Sequence, residues 1–286
     1  MEISFAVIGG SGLYSMPGLE EKEEILLDTP FGKPSSPITV GNLEGKKIAF
    51  LARHGIGHFL SPSEVNYRAN IYALKALNVS HVVSVSACGS LREDYAPGDI
   101  VIPDGLFDFT KGKRSSTFFE GGCVAHVGVA KPFCPAFSKQ LYQAVELTGT
   151  SLHNSGEFIT IEGPRFSTKT ESNTFRSWGM SIIGMTTSPE AFLAMEAEMC
   201  YAVMAHVTDY DVWHVSEKPV SVEMVIAVLN KNTDVAQQSI RNLAKNFLSE
   251  RTCDCSEALS TALITDPNVI PPETRSKLNL LVKKYL

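Results

Sequence analysis

The sequence predicts an α/β fold, a single domain with a central mixed twisted β-sheet flanked by helices, and three observations predict it. Short apolar runs rich in Val and Ile recur along the chain. Most run directly into glycine or small polar residues, as buried strands do where they end in loops. Helical patterns lie between several of them and fill the C-terminal part, which places helices on both faces of one sheet.

The expected strands are Phe5–Ile8, Ile48–Ala52, Val82–Val85, Ile100–Ile102, Phe158–Ile161, Ser181–Ile183 and Val203–Val207. A first helix is expected over Pro62–Leu77, with Ser61 as its cap and a proline just inside its start. Pro135–Leu147 reads as a second, and Ser188-Pro189-Glu190 opens a third with Phe192, Met195, Met199 and Ala202 on its inner face. The tail predicts a long helix over Val220–Leu248 with an interruption near Asn230, then shorter ones at Ser256–Ile264 and Pro272–Tyr285. Asp104–Gly122 reads as a polar loop, and its Lys111-Gly112-Lys113-Arg114 run as a solvated one. With no repeat or low-complexity linker in sight, residues 1–286 are expected to form one domain.

At 286 residues, 44% hydrophobic and 20% charged, the composition is that of a globular enzyme. The formal charge of -6 gives no general field for nucleic acid or an anionic membrane, while leaving room for a local anion pocket. The first strand begins too polar and ends too soon for a signal peptide, and no stretch approaches ~18 uninterrupted apolar residues. A cytoplasmic location is expected. Six cysteines in this length do not indicate a disulfide-dependent scaffold. Cys253 and Cys255 read as two free thiols or a strained local disulfide; with no second pair beside them, they are not expected to supply a tetrahedral zinc set.

Three strand ends converge on one anion reading. Gly9-Gly10-Ser11-Gly12 lets backbone amides approach an anion and adds the Ser11 hydroxyl, though it matches neither a dinucleotide fingerprint nor a triphosphate loop. Arg53-His54-Gly55 offers a planar guanidinium fork with a histidine donor beside it, and His58 follows. Ser86-Ala87-Cys88-Gly89 brings amides and the Ser86 hydroxyl to the same kind of place; Cys88 has no evident histidine partner and reads as a buried small residue. No metal cluster or nucleophile–base pair accompanies them, so a bound inorganic phosphate acting as nucleophile makes sense of the set. Downstream, Phe166 and Ser167 suit a flat heterocycle with a polar edge, with Glu162 expected as a structural cap partnered by Arg165. Thr186 can donate to the anion and Met185 can pack on a sugar. Asp209 and Asp211 flank Tyr210 after a strand, where one carboxylate can reach a purine N7 and exocyclic amine and the other orient it. They lack a third metal ligand at convincing spacing.

Taken in order, Ala52-Arg53-His54-Gly55, Asn66-Tyr67-Arg68-Ala69-Asn70, Ala87-Cys88-Gly89-Ser90-Leu91-Arg92-Glu93, Ile161-Glu162-Gly163-Pro164-Arg165-Phe166-Ser167 and Thr208-Asp209-Tyr210-Asp211 resemble the 5'-methylthioadenosine phosphorylases, the trimer-forming branch of the purine nucleoside phosphorylases. The resemblance implies phosphate contacts from Ser11, Arg53, His54, Ser86, Ala87 and Thr186. It implies a nucleoside site of His58, Phe166, Ser167 and Met185, with catalytic Asp209 and Asp211 on the adenine edge. His126 is implied to reach a neighbouring subunit's ligand, and Val222, Val225 and Ile226 to form an apolar wall for a methylthio group. Replacing a hydroxyl contact by that wall is worth ~1–3 kcal/mol. Further implications are C-terminal helices from about residue 220 closing over the substrate, a homotrimer or dimer of trimers, and phosphate as co-substrate with no cofactor. Thermophilic archaeal members carry disulfides; Cys253 and Cys255 resemble one such pair and Cys134 with Cys200 a second, oxidised or reduced.

Overall fold

A computed structural model describes residues 2–10, 13, 16–214 and 222–286, with side chains for all of these except 224–231. Its sheet has eleven strands, of which eight run in the order β2-β3-β4-β1-β5-β10-β9-β7. These are β1 (Phe5–Gly9), β2 (Glu20–Ile25), β3 (Ile38–Leu43), β4 (Lys46–Ala52), β5 (His81–Ser90), β7 (Gly105–Phe109), β9 (Glu157–Ile161) and β10 (Ile182–Gly184). A branch leaves β5 through β11 (Cys200–Asp209) to β6 (Ile100–Val101) and β8 (Leu152–His153). The β5 strand forks: its body pairs in parallel with β1 and β11, while Gly89 and Ser90 pair antiparallel with β10. The sheet is mixed at its flanks too, where β2, β3 and β4 pair antiparallel in succession and β6 pairs antiparallel with β11.

Helices cover both faces, as expected. Phe137 and Leu141 of α2 (Pro135–Glu146) and Ile240 and Leu243 of α5 (Val222–Asn246) pack with Phe5, Val7 and Val83 on one face. Opposite lie Ile71 and Leu74 of α1 (Tyr67–Ala76), Leu193 of α4 (Thr187–Glu196) and Leu278 of α6 (Pro272–Val282), against Ala6, Ile8 and Val82. A third cluster holds Phe175 of α3 (Lys169–Ser177) against Ile159, Ile183 and Trp213. Among the described residues, no helix is long and apolar enough to cross a membrane.

Several expectations need correction. The first helix begins at Tyr67 rather than Pro62: Asn66 is its cap, accepting from the Ala69 amide, while Ser61 is tied to Glu64 in a separate turn. α4 buries Ala191, Leu193 and Ala194, while Phe192 and Met195 are only partly covered; the helix stops at Glu196, so Met199 and Ala202, though buried, lie outside it. α5 runs through Asn230 unbroken. Ser256–Ile264 is not a helix: a short 3-10 turn at Asp254–Glu257 gives way to turns and a bridge from Leu263 to Ala125. Asp104–Gly122 contains strand β7, in parallel register with β9. The exposed β2, Glu-Glu-Lys-Glu-Glu-Ile, escaped a reading based on apolar runs.

Candidate active site

A cleft of about 570 Å³ opens at the C-terminal ends of β1, β4, β5, β10 and β11. Its size and mainly apolar lining suit a nucleoside-sized ligand. Arg53, His54, His58, Ser86, Ala87, Phe166, Ser167, Met185, Thr186, Asp209 and Asp211 all line it.

Arg53 follows β4 and is wholly buried. Its Nε and Nη2 donate to both oxygens of Glu190, each at 2.8 Å, Nη2 also donates to Ser84 Oγ at 2.7 Å, and Nη1 donates to the Val85 carbonyl at 3.1 Å. Burial works against its charge, yet Glu190 more than restores it, so the guanidinium pKa is raised above its usual value. Arg53 is therefore no surface ion pair. A guanidinium has five N–H donors, and these contacts leave one on Nη1 for an anion in the cleft. Glu190, fully buried and also bonded by the Tyr201 hydroxyl at 2.8 Å, went unrecognised because it reads as an ordinary first-turn acid.

Next to Val85, the Ser86 hydroxyl lies 3.3 Å from that of Thr186, so two donors from β5 and the β10–α4 junction meet at one point. His54 stacks on the exposed His58, ring centroids 4.3 Å apart. Its Nδ1 lies 2.9 Å from the Leu60 carbonyl, which can only accept, so the proton sits on Nδ1. Burial and then Arg53 depress the His54 pKa to about 4. The neutral ring thus presents Nε2 as an acceptor, correcting the expectation of a further donor: it matches the P–OH of a hydrogen phosphate. Ser11 lies outside the described residues.

At the far wall, a bulge in β11 between Val207 and Asp209 shifts the register and turns Asp209 toward Gly89. Asp209 accepts from the Thr208 hydroxyl at 2.6 Å and the Asp211 amide at 2.8 Å. Burial nevertheless raises its pKa. Asp211, left-handed at φ 50°, is pushed up to about 6, by burial first and with the Asp209 charge adding to it. Asp211 Oδ2 and the Ser167 hydroxyl are buried without a well-formed hydrogen bond. The nearby serines pull the Asp211 pKa down only partly. Cys88 also lines the cleft, but burial and the Asp209 charge raise its thiol pKa, which removes it as a nucleophile at neutral pH.

Gly89 makes this arrangement possible. A Cβ there would stand 2.9 Å from Asp209 Oδ1 and 3.1 Å from Ile183 Cγ2. Gly89→Ala is expected to displace the Asp209 carboxylate and lower kcat/KM by about tenfold or more, since small misplacements are costly at a reacting centre. Circular dichroism should remain native; unchanged kinetics would show that the carboxylate moves without consequence.

Arg114 overturns the solvated-loop reading. Buried over Tyr67, it donates to the Met185 and Ser188 carbonyls, each at 2.7 Å, to the Glu162 carbonyl at 2.7 Å, and to Glu162 Oε1 at 3.2 Å. It ties together the segments after β9 and β10 that carry Phe166 and Met185. Glu162 is thus partnered by Arg114, while Arg165 lies exposed and pairs with Glu171 in the capping box of α3. Asn232, Thr233 and Ala236 of α5 also line the cleft. Val222 does not: it is 58% exposed at the first turn of α5 and is absent from the wall. The side chains of Val225 and Ile226 lie outside those described. His126 is exposed and away from this cleft, its amide bonded to the Ala262 carbonyl.

The model of the phosphorylase superfamily matches residues 4–245. The chain belongs to that superfamily. Within it, the chain is 50% identical over 286 residues to the S-methyl-5'-thioadenosine phosphorylase of Geobacter sulfurreducens, covering 100% of both. It is 51% identical to that of Chloroflexus aurantiacus over 282 residues, 99% of this chain and 98% of the relative. A crystal structure of a methylthioadenosine phosphorylase from an Antarctic soil metagenomic library superposes with a TM-score of 0.93 at 47% identity, covering 98% of each chain. Such similarity across the whole length places the chain among the methylthioadenosine phosphorylases of the superfamily.

The phosphorylase also gathers four of its cysteines. Sγ atoms of Cys134, Cys200, Cys253 and Cys255 all lie within 4.8 Å of one another. The zinc exclusion assumed no second pair beside Cys253 and Cys255; the fold supplies one. No S–S bond joins any of the six cysteines in the structure, and Cys253 Sγ lies 3.4 Å from Cys200 Sγ, so the four sulfurs meet as one group rather than as two separate pairs. An extended Cys253 ahead of the 3-10 turn sends its sulfur toward the sheet.

Proposed function

We infer that this chain catalyses phosphorolysis of S-methyl-5'-thioadenosine to adenine and 5-methylthioribose 1-phosphate, a pentosyl transfer in purine and methionine salvage. One observation carries the reading: a single cleft holds a phosphate-sized set of donors on one side and two buried carboxyls with raised pKa on the other. Phosphate is the co-substrate, held by Arg53, Ser86, Thr186, the Ala87 amide and His54, with Ser11 assigned to the same group. A phosphate oxygen attacks C1' as the C1'–N9 bond breaks, and the bond electrons pass into the purine. The phosphate dianion stabilises oxocarbenium-like positive charge on the ribose. Protonated Asp209 delivers its proton to N7, so adenine leaves neutral. Asp211 holds Asp209 in place through its amide. Phe166 and Ser167 face the base, and Met185 and His58 the sugar.

The methylthio end is assigned to the α5 side, with Val225 and Ile226 as its apolar wall and Val222 removed from that role by its exposure. Residues 1–286 act as one domain in which α5 closes over the substrate, supported by Asn232, Thr233 and Ala236 on the cleft wall. Membership of the superfamily supports a homo-oligomer, assigned as a trimer or dimer of trimers, in which the exposed His126 is assigned to a neighbour's site. The enzyme is assigned to the cytoplasm.

Initial rates on S-methyl-5'-thioadenosine, adenosine and inosine, each with and without phosphate, test this. Turnover should require phosphate and favour methylthioadenosine over adenosine. Adenine release without phosphate would mean a hydrolase; a preference for inosine would mean an oxopurine enzyme.

A further inference from the structure

The four-cysteine cluster belongs to no step of the reaction. Cys134 caps the N-terminus of α2, Cys200 begins β11, and Cys253 and Cys255 lie in the segment after α5. Cys134 and Cys200 have fixed backbones, since the Cys134 amide donates to the Tyr201 carbonyl and the Cys200 amide to the Ser80 carbonyl, each at 2.8 Å. One disulfide would use two of these sulfurs and two disulfides all four, but paired sulfurs need not approach a second pair. Mutual approach of all four is what a tetrahedral centre requires: Zn–S bonds of about 2.3 Å place the sulfurs about 3.8 Å apart. The cluster spans no more than 4.8 Å, so small side-chain adjustments complete it.

We propose that Cys134, Cys200, Cys253 and Cys255 form a structural tetrathiolate site for a divalent zinc ion. Zn²⁺ displaces the four thiol protons to solvent and leaves a buried unit of charge 2−. The surroundings suit that charge. The Phe137 amide points at Cys134 Sγ at 3.5 Å, an N–H···S contact at the positive end of α2. The Arg251 guanidinium, two residues before Cys253, is held nearby on the Glu198 carbonyl at 2.8 Å. With four protein ligands and no open position, the centre is closed, which fits a staple rather than a catalyst. It fastens the chain after α5 to α2 and β11. Catalysis is remote: Cys200 begins the strand that ends at Asp209, a separation of about 30 Å along β11.

The full chain, produced with zinc and purified without chelator, should carry about one zinc per chain by elemental analysis. Cobalt exchanged into it should show thiolate-to-cobalt charge transfer with the intense visible bands of a tetrahedral ion. Cys253→Ser, at the most exposed position of the cluster, should lose the metal and melt at least about 5 °C lower. Its kcat/KM at 25 °C should stay within about twofold, because the cleft is distant. Cys123→Ala, a buried cysteine outside the cluster, should keep the zinc. Should Cys253→Ser prove insoluble, metal content and the cobalt spectrum of the unaltered chain still decide. Overturning results are a metal-free protein whose unreduced mass lacks the hydrogens of one or two disulfides, or a metal-free protein whose four thiols all alkylate.

Discussion

Asp209→Asn should lower kcat/KM for S-methyl-5'-thioadenosine by about 10²–10⁴-fold, the usual contribution of a positioned general acid. Asparagine keeps the shape and an acceptor for the Thr208 hydroxyl, but it has no proton to give N7. Its amide can instead donate to a carbonyl at C6, which a carboxylate oxygen would repel. The ratio of activity on 5'-methylthioinosine to that on methylthioadenosine should therefore rise while both absolute rates fall. Steady-state kinetics on the two substrates measure this, and unchanged turnover with an unchanged ratio would remove Asp209 from both roles.

The same pair sets a pH dependence with a definite sign. Burial raises both carboxyls, Asp211 to about 6, and the Asp209 charge adds to the Asp211 shift. In the proposed mechanism the acid form is the reactive one, so kcat/KM should fall as pH rises through the elevated range of these carboxyls, and Asp209→Asn should flatten that limb. Stability runs the same way. A carboxyl whose folded pKa exceeds its unfolded value favours folding fully below the unfolded range and loses that contribution as pH rises through about 6.

How much of this was legible follows from which interactions are local in sequence. Strand ends that turn through small residues announce themselves, and Arg53, Ser86, Thr186 and Asp209 sit at four of them, in one cleft. Proximity across the fold does not announce itself. Lys111-Gly112-Lys113-Arg114 looks like solvated charge because nothing local shows that Arg114 folds under Met185 and Glu162. Glu190 looks like an N-terminal helix acid, although its carboxylate points inward to Arg53. Cys134 and Cys200 join Cys253 and Cys255 through the packing of α2 and α5 on each other and on β11. Val222 errs the other way: a helical spacing that looked like a continuous wall has its first member in solvent.

Glu190→Gln tests the other large dependence, since Glu190 holds the residue proposed to bind phosphate. Both its oxygens accept from Arg53 and one also from Tyr201. A glutamine replaces one of those acceptors with an NH₂ facing a guanidinium and leaves the buried cation uncompensated. Breaking such a pair from one side costs about 3–5 kcal/mol of stability. A purely structural role would end there, with the surviving folded enzyme keeping its phosphate affinity. A positioning role goes further: the guanidinium turns toward other acceptors, its free Nη1 hydrogen leaves the cleft, and KM for phosphate should rise about tenfold or more while KM for the nucleoside changes little. Arg53→Lys should show the same split, because an ammonium cannot satisfy both Glu190 oxygens, Ser84 and an anion at once. In the cycle with Arg53→Lys/Glu190→Gln, the phosphate effects should be strongly non-additive, the second change costing little once the first is made. Additive effects would overturn the positioning role and leave Glu190 with a structural one.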